Sequence, residues 1–159
     1  GPLGRGIVNA EIGYYDSRDD PDGASFLVNN SELRLLLGYE RELAKDFTGA
    51  VQYYLEHMQD YGNYKRTRLY FMPQRDQDRH VITLRLTKLL LDQTLTLSFF
   101  TYFSPSDGDA YLRPKASYKF NDDWNVEAGA NVSLGESDTT FFGQFEHNTN
   151  IYAAMRYSF

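Results

Sequence analysis

The sequence predicts an all-β fold, a transmembrane antiparallel up-and-down β-barrel of about eight strands. Three observations carry that prediction. Apolar and polar residues alternate in eight separate segments of ten or so residues, the period of an extended strand with unlike faces. The connections between these segments alternate between short and long. Aromatic residues are abundant, with 13 Tyr and 11 Phe in 159 residues, although mean hydropathy is only −0.55. No run of about 18 apolar residues exists, so the sequence predicts no membrane-crossing helix. A barrel in which only alternate residues meet lipid reconciles aromatic richness with a polar average.

The segments read as follows. Over 7–16, Val8, Ala10, Ile12 and Tyr14 oppose Asn9, Glu11, Gly13 and Tyr15. Over 32–41, Leu33, Leu35, Leu37 and Tyr39 oppose Glu32, Arg34, Leu36, Gly38 and Glu40. Over 47–58, Phe47, Gly49, Val51, Tyr53 and Leu55 face out, with Gln52, Tyr54 and Glu56 inward. The fourth, 79–88, sets Ile82, Leu84 and Leu86 against Thr83, Arg85 and Thr87. The fifth, 94–103, sets Leu95, Leu97, Phe99 and Phe103 against Thr96, Ser98 and Tyr102. The sixth, 110–120, sets Leu112, Pro114, Ala116, Tyr118 and Phe120 against Arg113, Lys115, Ser117 and Lys119. The seventh, 124–134, sets Trp124, Val126, Ala128, Ala130, Val132 and Leu134 against Asn125, Glu127, Asn131 and Ser133. The eighth, 149–159, sets Ile151, Ala153, Met155, Tyr157 and Phe159 against Asn150, Tyr152, Arg156 and Ser158.

Connections 41–46, 89–93 and 121–123 are short. Connections 17–31, 59–78, 104–109 and 135–148 are mostly longer and more polar. An even strand number returns both termini to the short-turn side. Residues 1–6 stand apart as a leader or tag remnant, since Gly1-Pro2-Leu3-Gly4 reads either as a scar of tag removal or as native sequence. Residues 7–159 form the barrel, and no secretory signal pattern opens the chain. Aromatic rings prefer the membrane–water interface. Tyr39, Phe47, Phe120, Trp124 and Phe159 would girdle the short-turn end, and Tyr14, Tyr53 and Phe103 the other. A soluble β-sandwich or lipocalin-like barrel would bury the same apolar face instead. Long, uniform apolar faces in all eight segments, with no helices to cover them, favour lipid.

Composition narrows the function. Sixteen Lys and Arg stand against 22 Asp and Glu, a net charge of −6. That balance disfavours nucleic acid as a partner, because phosphate binding needs a basic surface. Cysteine is absent, which removes disulfides, thiolate metal sites and a Cys nucleophile.

The last ten residues, Asn150-Ile151-Tyr152-Ala153-Ala154-Met155-Arg156-Tyr157-Ser158-Phe159, carry apolar side chains at every second position up to a terminal aromatic. They resemble the C-terminal insertion signal of Gram-negative outer-membrane proteins, matched at Ile151, Ala153, Met155, Tyr157 and Phe159. Thr140-Phe141-Phe142-Gly143-Gln144-Phe145-Glu146 and Tyr111-Leu112-Arg113-Pro114 resemble stretches in the C-terminal part of larger uncharacterised outer-membrane, porin-like barrels. The resemblance implies a bacterial outer-membrane location with periplasmic turns and termini. It implies lipid and lipopolysaccharide as surroundings, and insertion by the barrel assembly machinery through strand addition. It also leaves two architectures open: a self-contained eight-stranded barrel or a piece of a wider one.

Eight strands leave an interior that side chains fill. The inward charges nearly balance: Glu11, Glu32, Glu40, Glu56 and Glu127 against Arg34, Arg85, Arg113, Lys115, Lys119 and Arg156. That favours a small closed barrel plugged by ion pairs, with a structural or surface-interaction role. A narrow channel, or part of a larger transport barrel, is the alternative. Catalysis is not expected: His57, His80 and His147 lie at strand ends or in a loop, and no Ser lies two residues from any of them. His80 with Asp76 and Asp78 supplies the letters of a rim protease, which loops supply often. No cofactor is implied. Asp16, Asp19, Asp20 and Asp22 near Gly23 form a weak Ca²⁺ candidate, better read as a solvated acidic loop. Lys65, Arg66, Arg68, Arg75 and Arg79 form a basic rim suited to lipopolysaccharide phosphates or to plain solvation.

Overall fold

A computed structural model describes residues 1–135 and 139–159; positions 136–138, within the predicted connection 135–148, lie outside the described residues. Nine strands form one antiparallel sheet in chain order. They are β1 (Pro2–Leu3), β2 (Gly6–Tyr15), β3 (Glu32–Ala44), β4 (Phe47–Met58), β5 (Asp78–Leu90), β6 (Leu95–Ser104), β7 (Asp109–Lys119), β8 (Trp124–Gly135) and β9 (Asn150–Tyr157). Helix α1 (Tyr61–Thr67) lies in the connection from β4 to β5, and a 3₁₀ turn (Gly143–Asn148) precedes β9. The eight long strands match the eight alternating segments, and β1 adds a short hairpin through Pro2↔Ile7 and Leu3↔Gly6.

The sheet is not closed into the expected eight-stranded barrel. β9 pairs with β8 alone and β2 with β1 and β3, so among the described residues no ladder joins the two ends. The meander is open at both edges. Alternation fixes which face each side chain takes, and turns fix which strands are neighbours. Closure depends on tilt and stagger, which neither signal encodes.

Local chemistry sets the turns. Asp46 adopts a left-handed conformation (φ 56°) in the two-residue link from β3 to β4. The β5–β6 turn places Leu91, Asp92 and Gln93 at φ 51°, 50° and 70°, where Leu is unfavourable by about 1–2 kcal/mol. Asn121 Oδ1 accepts the backbone N–H groups of Asp123 and Trp124 at 3.0 and 2.9 Å, an Asx turn that starts β8. The β6–β7 connection, expected among the mostly longer ones, is tight. Ser104 and Asp107 hydrogen-bond at 2.8 Å around it, and Gly108 supplies φ 65°.

Register keeps the two faces chemically separate. One row reads Ala10, Leu37, Tyr53, Ile82, Phe103, Ala110 and Leu134 from β2 to β8. On the opposite face the row from β3 to β5 reads Arg34, Glu56 and Arg79. Among the described residues, only Met58 and Val81 are buried hydrophobic side chains, and both register with the polar face. Among the described residues the apolar face has no second layer over it. Val51 and Leu97, mid-sheet, remain 45% and 40% exposed, and Ile151 on the edge strand is 87% exposed.

Gly129 in β8 leaves room for the Tyr152 ring. A Cβ there would lie 2.7 Å from the Tyr152 hydroxyl and 2.9 Å from the backbone oxygen of Pro114. The backbone cannot yield, so Gly129→Val should cost about 1–3 kcal/mol in denaturant unfolding. Gly13→Val, where a Cβ meets nothing within 4 Å, should be close to neutral.

Candidate functional site

The polar face carries the chemistry, and its charges gather at the long-loop end. Glu32, 3% exposed, accepts from Arg34 at 2.7 Å through one carboxylate oxygen and from Arg75 at 2.9 Å through the other. Arg34 stands 3.7 Å from Glu56. Glu56 also accepts from Tyr54 at 2.8 Å and from Arg79 at 3.2 Å. Arg79 donates to Asp107 and to the Tyr102 hydroxyl, both at 2.6 Å. The result is one chain of alternating charge: Arg75, Glu32, Arg34, Glu56, Arg79, Asp107. It crosses β3, β4 and β5 and reaches two connections. Paired, hydrogen-bonded charges of this kind tolerate partial burial.

Outer connections fold over this end. Asn30 donates to the Gln59 carbonyl at 2.9 Å, and Asn63 donates to the Asp22 carbonyl at 2.7 Å, tying 16–31 to 59–77. Phe142, just before the 3₁₀ turn, stacks on Tyr111 at 5.0 Å and meets Tyr102 edge-on at 4.7 Å. Its backbone N–H donates to the buried Asp109 at 2.7 Å.

The expected interior network is placed unevenly. Arg34 and Glu56 join the loop-end chain. Lys115 and Glu127 pair at 3.5 Å farther down. Arg113 lies beside the Tyr152 hydroxyl. Glu11, Glu40, Arg85 and Arg156 face the same side without an ion-pair partner among the described residues. Sequence reading left Asp107, Tyr54 and Tyr102 out of the charge network, and placed Arg75 and Arg79 in a basic rim suited to lipopolysaccharide phosphates or to plain solvation. Strand parity carried the signal for Tyr54, Tyr102 and Arg79, which share a face with Glu56, Arg79 directly across from it. For Asp107 only the turn sequence Ser104-Pro105-Ser106-Asp107-Gly108 pointed to a role, as a turn former.

The girdle candidates lie on the apolar face. Tyr14 and Phe103 are exposed near the long-loop end, and Tyr53 Oη lies 2.7 Å from His80 Nδ1. Tyr39 is half-buried on β3, and Phe47 begins β4 at the short-turn end. Trp124 packs on Tyr157, and Phe120 packs edge-on against Tyr118, both at 4.8 Å. Ile151, Ala153, Met155 and Tyr157 of β9 pair with Ala130, Ala128, Val126 and Trp124. Phe159 lies beyond the strand, its ring 6.3 Å from that of Tyr157.

His57 Nδ1 sits 2.6 Å from Asp78 Oδ1, so the histidines at this end are engaged with Asp78 and Tyr53. Asp20 uses its two carboxylate oxygens on the N–H groups of Ala24 and Ser25, organising its own loop, while Asp19 and Asp22 are exposed. No group of three metal-ligating side chains occurs among the described residues. No family model matches the chain, and no curated protein or solved structure matches it significantly.

Arg79 is the cation on which two carboxylates and a phenol converge, with 22% of its side chain exposed. Arg79→Leu should lower unfolding free energy by about 1–3 kcal/mol, since Glu56 loses one partner and Asp107 its only cation. Arg156→Gln, which breaks no ion pair, should stay within about 0.5 kcal/mol in the same denaturant titration.

Proposed function

We propose that this chain forms a wall of a bacterial outer-membrane β-barrel, with the apolar face in lipid and the polar face lining a water-filled lumen that passes polar solutes. One observation carries the reading: an apolar face continuous across eight strands, covered by no helix or second sheet among the described residues, which hold two buried hydrophobic side chains in place of a core. A soluble sheet exposing that face would aggregate. Lipid is the environment in which it costs nothing.

The open edges extend the reading. In a bilayer every backbone polar group must be paired, so the free edge of β9, and that of β2 beyond its short hairpin with β1, require further strands. A barrel wider than eight strands also has room for water, which accommodates the unpaired Glu11, Glu40, Arg85 and Arg156. Short turns then face the periplasm and long loops the exterior. Lys65 and Arg66, exposed on α1, are within the outer rim that contacts lipopolysaccharide. The apolar side chains of β9 and the terminal Phe159 serve recognition by the barrel assembly machinery. The role is transport rather than catalysis. A second reading, a self-contained eight-stranded barrel with a plugged interior, draws on the dense ion pairs at the loop end.

The absence of cysteine makes both readings directly measurable. Single cysteines at Thr83 and Ser98 should react with a membrane-impermeant maleimide in membrane-embedded protein, while those at Leu84 and Leu97 should be spared. Equal labelling of both sets refutes the lipid-facing assignment. Cysteine pairs between β2 and β9 should not cross-link within one chain; efficient intramolecular cross-linking would establish the small closed barrel instead. Phe159→Ala should reduce the amount of protein assembled in the outer membrane several-fold, read by fractionation.

A further inference from the structure

Away from the loop-end ion pairs, the polar face changes character. Arg85 on β5, Phe100 on β6 and Arg113 on β7 stand directly across from one another in one row. Lys115 and Ser98 occupy the next row toward the short turns. Adjacent strands lie about 4.8 Å apart, so the two arginines flank Phe100 at backbone positions about 10 Å from each other. These side chains, with Tyr111, line an open hollow of about 410 Å³, enough for a small organic molecule.

The loop-end arginines are consumed by carboxylates, and these are not. Among the described residues neither Arg85 nor Arg113 has an ion-pair partner, and Lys115 reaches Glu127 only at 3.5 Å. Glu40 is in the same row as Arg85, beyond Ala50, and forms no ion pair with it. Arg85 keeps its fork of donors for bidentate capture of a carboxylate, and Arg113 keeps the donors not turned to the Tyr152 hydroxyl. Phe100 between two such forks adds a flat apolar platform.

We infer that the Arg85–Phe100–Arg113 row is a binding station for small carboxylates with a flat, aromatic body. The ring stacks on Phe100 and the carboxylates meet the guanidinium groups of Arg85 and Arg113, with Lys115 adding positive charge. The inference rests on the polar face being a water-filled lumen, since the solute must reach the middle of the wall.

Isothermal titration of the detergent-purified protein with isophthalate, whose two carboxylates sit on one ring, tests the station without requiring conduction. Saturable binding is expected, weakened at least tenfold in R85Q/R113Q and in F100A, and retained in R156Q, which removes a lumenal arginine outside the row. The heat-dependent shift of folded barrels on electrophoresis verifies that each variant is assembled. Absence of saturable binding, or equal affinity in assembled R85Q/R113Q, overturns the station. Inorganic sulfate binding as tightly as isophthalate overturns the aromatic preference. Bilayer recordings report on the lumen separately: isophthalate binding without any conductance retains the station and refutes transport.

Discussion

Everything in this molecule follows from one face of its sheet having no cover. Nine antiparallel strands in chain order bring the apolar halves of eight alternating segments to the same side, and among the described residues no helix or second sheet packs over them. A globular domain would place its core there. This one has Met58 and Val81 buried on the other side, beneath loop-end polar groups. The stabilising transfer of apolar surface out of water therefore has to come from the surroundings. If lipid supplies it, as proposed, the polar face becomes an interior, and the free strand edges become a demand for more hydrogen-bond partners.

The distribution of charge follows from how wet each region is. Under the folded connections, Glu32 and Glu56 are largely shielded, Glu32 matched with Arg34 and Arg75 and Glu56 with Arg79 and Tyr54 at hydrogen-bonding distance. Unmatched charge there would be costly. Lower on the wall, Arg85, Arg113 and Arg156 are exposed and stand without carboxylates, which water alone can support. The same face thus has a rigid, self-neutralised rim and a middle whose charge stays available.

Much of this was legible in the sequence. Period-two alternation from Val8 to Tyr157 located the eight long strands and sorted their faces, because each residue's parity is fixed by the pleat. Parity also brought Arg34 to Glu56 and Lys115 to Glu127. What it did not hold was anything that depends on the third dimension of the sheet. Curvature decides closure, and alternation is identical in an open and a closed sheet. Loop residues have no parity, so the path that carries Arg75 to Glu32 and Phe142 onto Tyr111 was invisible. The β1 hairpin arose in a segment too short for a periodic signal.

The strict meander has a kinetic side. Each strand's partner is its neighbour in the chain, so every ladder present here closes a modest loop, and hairpins can form one after another at small entropic cost. A ring built from such a sheet contains one seam of a different kind, whose two strands are far apart in sequence and cannot find each other by local search. If this sheet is a wall of the proposed wider barrel, closing such a seam is its slow, committing step, and the outer rows of β2 and β9 are edges that further strands must meet. An agent that held those two rows while the rest zipped up would govern the rate without touching a single interior residue.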